Sequence, residues 1–356
     1  MDAAHDTVNE RPILVAGDPL PGHRLALARI AEAHRRIDPV FLDTPQFVNE
    51  PLSERLGARL TLKVETLNPI RSFKGRGASL FVAEHTERGA TLGPAAALVC
   101  ASAGNFGQGL AYACRRAGAS LVVYAARTAN PLKIDRMRAL GAVVRLAGDD
   151  FDAAKEAAHT WATATGATLV VDGLAAAVAE GAGTIGRELC AGGAAYDAVY
   201  LPVGNGALIT GAARWIKARA PATRVIGVIS AGAPAMAAAF RAGRVDPARR
   251  FGATTIADGI AVRVAIPEAV TDMIGVVDDV VTVADAAIVE AMRLLHEHAG
   301  VVVEPAGAAG LAALLSATDR AAISGTSVAT VLCGGNVTPE QMRTWLGPEP
   351  TLQESL

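Results

Sequence analysis

Aromatic residues make up only 4% of this 356-residue chain. That scarcity argues against a base-stacking surface for nucleic acid. Charge of one sign is lacking too. There are 33 Lys and Arg against 35 Asp and Glu, a net charge of −2. No electrostatic footprint for nucleic acid or an anionic membrane follows from such a balance. No apolar run reaches the roughly 18–20 residues of a membrane span. The first twelve residues carry acidic groups and no apolar run, so no signal peptide is expected. The four cysteines, Cys100, Cys114, Cys190 and Cys333, lack metal-type or disulfide-framework spacing, and a reducing cytoplasm is the expected location. No G-x-G-x-x-G follows an early strand with an acidic residue about twenty positions on, which excludes a Rossmann-type dinucleotide binder.

What is present is apolar residue in quantity, 51% of the chain. That suits one large domain or two intimate ones. Residues 22–36 have helical spacing and pack on the main body or on a partner. Residues 60–65 alternate as a half-buried strand does. A continuous apolar run at 96–100 reads as a buried strand, and 121–124, 142–146 and 168–171 read as further strands. They alternate with helical stretches at 75–90, 131–140 and 151–165, and with a loop at 102–109 that leads into a helix ending near 118. The pattern resumes with strands at 198–203, 225–229, 280–283 and 328–332, and helices at 207–218, 284–298 and 305–317. Strict alternation of this kind predicts an α/β fold with doubly wound, mostly parallel sheets.

Four segments carry chemistry. Lys74 lies in Ser72-Phe73-Lys74-Gly75-Arg76-Gly77-Ala78. A lysine amine can form an imine with an aldehyde and can move a proton. Ser102-Ala103-Gly104-Asn105 follows a buried strand and opens a helix, where outward amides and the helix dipole favour an anion. An ordinary strand-to-helix turn with Ser102 as the cap is the bland alternative. Gly204-Asn205-Gly206-Ala207-Leu208 has the small residues that let amides close on a phosphate. Cys333-Gly334-Gly335-Asn336 follows another buried strand. A buried core cysteine is the bland reading there.

Together these motifs resemble the fold-type II pyridoxal phosphate enzymes, and the serine/threonine dehydratases in particular. SFKGRGA resembles S-F-K-x-R-G-A, and Thr255–Val262 resembles their T-I-A-D-G-I-A-V run. Glu304-Pro305-Ala306-Gly307-Ala308 resembles E-P-S-G-A. The resemblance spans about residues 40–340. It implies two doubly wound domains with the cofactor between them. Residues 41–96 and 175–356 would form the large domain, 97–174 the small one, and 1–40 an N-terminal extension. It also implies that Lys74 is the catalytic, imine-forming lysine and that Phe73 borders pyridoxal 5'-phosphate.

By the same resemblance, Asn105 meets the cofactor's phenolic oxygen, and 204–208 hold its phosphate. Cys333 faces the pyridine nitrogen, and Glu304 lines the imine side. Ser102, Ala103, Gly104 and Asn105 would grip the carboxylate of an amino acid substrate. The implied reaction is α,β-elimination of threonine or serine to a 2-oxo acid and ammonia. Threonine synthase-like chemistry or β-replacement is the alternative, because Asn205 interrupts the glycines that dehydratases carry. Ala103 cannot carry a proton and so disfavours a two-base racemase. Family habit implies a homo-oligomer, dimer or tetramer. No carboxylate lies near Ser230 in sequence, so no activating metal ion is expected. Nor is the regulatory domain of the biosynthetic threonine dehydratases expected after residue 340.

Overall fold

Buried runs with β-branched residues become strands because both faces of a parallel sheet are covered by helices. Val199-Tyr200-Leu201 and Leu121-Val122-Val123-Tyr124 are buried throughout. The structure, a computed structural model, describes residues 18–87, 97–316 and 323–347. Its strands are β1 (Gln46–Val48), β2 (Arg59–Val64), β3 (Leu98–Ala101), β4 (Leu121–Ala125) and β5 (Val143–Leu146). They continue as β6 (Thr168–Leu169), β7 (Ala198–Pro202), β8 (Arg224–Ser230), β9 (Asp279–Val283) and β10 (Ser327–Leu332). Helices α1 (Leu27–Ala33), α2 (Glu50–Leu56), α3 (Lys74–Glu87), α4 (Asn105–Ala117), α5 (Pro131–Ala139) and α6 (Phe151–Thr165) come first. They are followed by α7 (Ala176–Leu189), α8 (Ala207–Arg219), α9 (Ala235–Ala242), α10 (Pro267–Met273), α11 (Asp285–Ala299), α12 (Pro305–Leu315) and α13 (Pro339–Leu346).

Two sheets result. One has the order β1-β2-β10-β7-β8-β9, and the other β5-β4-β3-β6. Every pairing is parallel except β1 with β2. The doubly wound α/β expectation is met, and the strands of the second sheet all fall between Leu98 and Leu169. The expected ends of helices at 88–90 and 317 lie outside the described residues, as do the first twelve residues and position 96. No helix among the described residues is long and apolar enough to cross a membrane.

Residues 22–36 pack on the main body. Leu25, Leu27, Ile30 and Ala33 are buried, Arg29 pairs with Glu180, and Arg24 pairs with Asp272. The sequence reading passed over α7. Its residues Ala177–Gly186 are buried on all sides, so no amphipathic period marks it. Its glycines give a different signal. A Cβ on Gly181 would lie 2.7 Å from the Cα of Gly77 in α3, and one on Gly186 would lie 2.5 Å from the carbonyl of Ala212 in α8. Small residues let three backbones approach to a distance no larger side chain allows.

Buried polar groups reinforce this junction. Arg76 is fully buried. Its Nε and one Nη each donate at 2.8 Å to Glu65, and Glu188 and Thr184 of α7 accept further bonds. Lys63 pairs with Glu188 at 2.5 Å. Burial works against the Arg76 charge, but the two carboxylates hold its pKa above the ordinary arginine value. Arg76 is thus a structural residue two positions from Lys74.

Candidate active site

The four motifs meet because each follows the C-terminal end of a parallel strand. The Lys74 segment follows β2, Ser102–Asn105 follows β3, Gly204–Leu208 follows β7, and Cys333–Asn336 follows β10. β2, β10 and β7 are neighbours in one sheet. Open α/β sheets bind ligands at these ends.

Lys74 opens α3. Its Nζ lies 4.7 Å from the ring centre of Phe73 and 5.9 Å from that of Phe106. It donates to Asp172 Oδ2 at 2.6 Å. Asp172 follows β6, and the sequence reading did not single it out. Asn205 Nδ2 reaches the same oxygen at 3.4 Å, and Asp172 Oδ1 is buried with no hydrogen-bond partner among the described residues. The carboxylate therefore stands between the lysine amine and the 204–208 loop. Only its neighbour Gly173 hinted at this position. That glycine has φ +87, and a Cβ there would meet the carbonyl of Asn205 at 2.2 Å.

Gly206 caps α8 with φ +98 and offers no side-chain cap, which leaves the amides of Ala207 and Leu208 without an intrahelical acceptor. A Cβ on Gly204 would approach the carbonyl of Gly259 to 2.7 Å. The loop is therefore restricted to small residues. At the other loop, Ser102 is buried, and its Oγ accepts from the amides of Gly104 at 3.2 Å and Gly107 at 2.9 Å. Its hydroxyl thus serves the opening of α4, which is the turn-capping alternative. Ala103 and Gly104 are partly exposed, and a Cβ on Gly104 would meet nothing within 4 Å.

Cys333 is held by its carbonyl, which accepts from the Phe73 amide at 3.1 Å and from Ser72 Oγ at 3.2 Å. Burial, reinforced by Glu304, raises its thiol pKa and keeps it neutral. Glu304 accepts from Asn105 Nδ2 at 2.6 Å and from the Asn336 amide at 3.2 Å. A Cβ on Gly334 would come within 2.4 Å of its carboxylate and would have to displace it. Asn336 Nδ2 donates to Asn105 Oδ1 at 2.8 Å. Asn105 is thereby tied at both ends. Asp258 is exposed and pairs with the buried Lys133 of α5.

Burial is the main reason that Glu304 is pushed up to about 7, with Asp258 adding to it. Between its ordinary value of 4.5 and 7, the unfolded chain has already released a proton that the native state retains. Stability therefore falls as pH rises through that window, by on the order of 3 kcal/mol from this group. Urea unfolding from about pH 4.5 to pH 8 should show the decline, and Glu304→Gln should flatten it. An unchanged slope in the variant would assign the decline to other groups.

The site residues suit pyridoxal phosphate. They supply a partly buried amine, an uncapped helix N-terminus behind small residues, and a neutral thiol. The family model for pyridoxal-phosphate dependent enzymes matches residues 37–334. The chain belongs to that family. Its cofactor is pyridoxal 5'-phosphate. The chain is 38% identical over 313 residues to the L-threonine ammonia-lyase of Thermotoga maritima, covering 88% of this chain and 76% of that one. It is also 38% identical to the biosynthetic L-threonine dehydratase of Mycobacterium leprae, covering 85% and 70%. A crystal structure of a T.th. threonine deaminase superposes with a TM-score of 0.79 at 34% identity, covering 88% of this chain and 99% of that one. A pyridoxal 5'-phosphate-dependent aspartate racemase gives 0.84 at 29%, covering 90% and 99%.

Ser230 does have a carboxylate beside it, since Asp285 Oδ1 accepts from its Oγ at 3.2 Å. That oxygen comes from α11, 55 residues away, and also accepts from Thr255 Oγ1 at 2.5 Å. Among the described residues, no group of three or more His, Cys, Asp or Glu could hold a metal ion.

Proposed function

We propose that this enzyme is an ammonia-lyase that performs α,β-elimination on a hydroxy amino acid, threonine or serine. The products are a 2-oxo acid and ammonia. The single observation that carries the reading is Lys74, a partly buried amine at the strand ends, held by Asp172 at 2.6 Å. The names of the relatives, threonine ammonia-lyase and threonine dehydratase, support the same reaction.

When bound, the cofactor supplies an aldehyde that forms imines with amines and a ring that draws electrons from the substrate α-carbon. Lys74 takes the α-proton, and Asp172 stabilises the ammonium that forms. The amides of 102–105 would orient the substrate carboxylate, and those of 204–208 would hold the phosphate. Asn105 is held by Glu304 and Asn336, and there it would meet the phenolic oxygen. A neutral Cys333 would sit at the pyridine nitrogen without protonating it, which would leave the ring a weaker electron sink and favour prompt loss of the β-hydroxyl. Ala103 offers no proton on the opposite face, which weighs against racemisation. The enamine leaves the site and hydrolyses.

Residues 41–96 with 175–356 are proposed as the large cofactor domain, and 97–174 as the small one. The placement of all four strands of the second sheet within 97–174 supports this division. A cytoplasmic homo-oligomer belongs to the same proposal, in keeping with four unpaired cysteines. Asn205 keeps synthase-like or replacement chemistry as the second reading.

The test is an absorbance spectrum of the purified protein, then addition of L-threonine and L-serine with 2-oxo acid detection. An imine band with oxo acid is the expected result. A band without oxo acid from either substrate would favour the second reading, and no band would overturn both.

A further inference from the structure

Two arginines at the mouth of this site have no carboxylate partner among the described residues. Arg71 lies three residues before Lys74, and its side chain is exposed with no hydrogen bond or ion pair among the described residues. Its φ is +52, and Asp43 is the other non-glycine residue with positive φ among the described residues. Backbone strain at a bulky side chain persists where the surroundings impose it, and it concentrates at functional sites. Arg136 comes from the other side of the cleft, on α5. Its Nη1 donates to Asn336 Oδ1 at 2.6 Å. Asn336 in turn donates to the carbonyl of Ile70 at 2.8 Å and to Asn105 at 2.8 Å, and the Gly335 amide donates to the carbonyl of Arg71 at 2.9 Å.

The two guanidiniums are close enough to oppose each other. Burial first, and Arg71 second, hold Arg136 below the ordinary arginine value. The nearby carboxylates do not relieve them. Glu304 is occupied by Asn105 and the Asn336 amide, and Asp258 by Lys133, one turn before Arg136 on α5. Two like charges brought together through Asn336 and Gly335 favour an anion nearby, and a guanidinium fork suits a carboxylate or phosphate. The substrate α-carboxylate already has the amides of 102–105 in the elimination reading, on which this inference rests.

We infer that Arg71 and Arg136 bind a second anionic group on the substrate side chain, making the preferred substrate an acidic 3-hydroxy amino acid. With a side-chain carboxylate, the Cα–H and Cβ–O bonds break and water leaves. Imine hydrolysis takes up one water, so the net products are ammonia and a 2-oxo dicarboxylic acid. With a phosphate ester, phosphate leaves in place of that water. Neither route needs a redox partner.

The test uses the holoenzyme with L-malate and 3-hydroxybutyrate, which match such substrates but have no amine to react. Calorimetry should show malate binding at least about tenfold more tightly, since each charged hydrogen bond lost costs about that factor. Arg136→Gln and Arg71→Gly should each cut the preference several-fold. Glycine is at ease at the Arg71 backbone, so this variant folds. The ratio of kcat/KM for 3-hydroxyaspartate over threonine should fall in parallel. Equal binding of the two probes, or an unchanged ratio in both variants, would overturn the anion site. Oxo acid from threonine with no malate preference would remove this inference and leave the elimination reading standing. A malate preference with no oxo acid from any hydroxy amino acid would overturn the elimination reading and the acidic 3-hydroxy substrate, leaving only the anion site. Turnover of O-phospho-L-threonine ahead of 3-hydroxyaspartate would assign the anion as phosphate.

Discussion

Lys74→Ala should lose turnover by about a thousandfold or more, the scale of losing a positioned proton-transfer group together with its covalent role. The imine absorbance band should vanish with it. Nothing in the neighbourhood can take over. The rings of Phe73 and Phe106 flank the amine, and Asp172 is a carboxylate that cannot form an imine. The fold should survive, because the Lys74 side chain is 14% exposed and makes one ion pair. A folded variant that retains both the band and near-normal oxo-acid formation would sink the assignment. Loss of activity together with loss of the urea transition would say only that the variant does not fold. Comparing both readouts on one preparation separates the two.

Arg76→Ala should have the largest effect on stability, a loss of about 3–5 kcal/mol, the cost of removing one partner from a buried ion pair. The argument is geometric. Arg76 joins Glu65, at the end of β2, to Glu188 on α7, and both carboxylates are buried. Without the guanidinium, Glu65 keeps a hydrogen bond from Thr44, and Glu188 keeps Lys63. Glu65 would then be a buried charge without a cation among the described residues. Chemical denaturation monitored by far-UV circular dichroism reads the change. A loss under about 1 kcal/mol would show that the network contributes packing and not electrostatic support.

The parts of this site legible in the sequence are those with local causes. A lysine in SFKGRGA, an amide-rich turn after a buried strand and a glycine pair before a helix each state their chemistry within a few residues. The alternation of buried strands and helices does the same for the fold. The exceptions also have a physical basis. Helix α7 was missed because burial on every side erases the periodicity that marks a surface helix. Ser102 reads as a substrate contact or a cap, and its two amide partners could be assigned only once the α4 turn was in place.

By itself, the sequence determined the fold class, the lysine and the family. Each depends on short-range patterns that survive without knowledge of what lies opposite. Only the tertiary structure decided that Asp172 meets Lys74 across 98 positions, that Asp285 meets Ser230 across 55, and that Glu304 is tied to Asn105 across 199. The same holds for Arg71 and Arg136, which are ordinary exposed or half-buried cations until the strand order brings their loops together. A side chain's charge is written in the chain, but its partner is set by which strand ends become neighbours in the sheet.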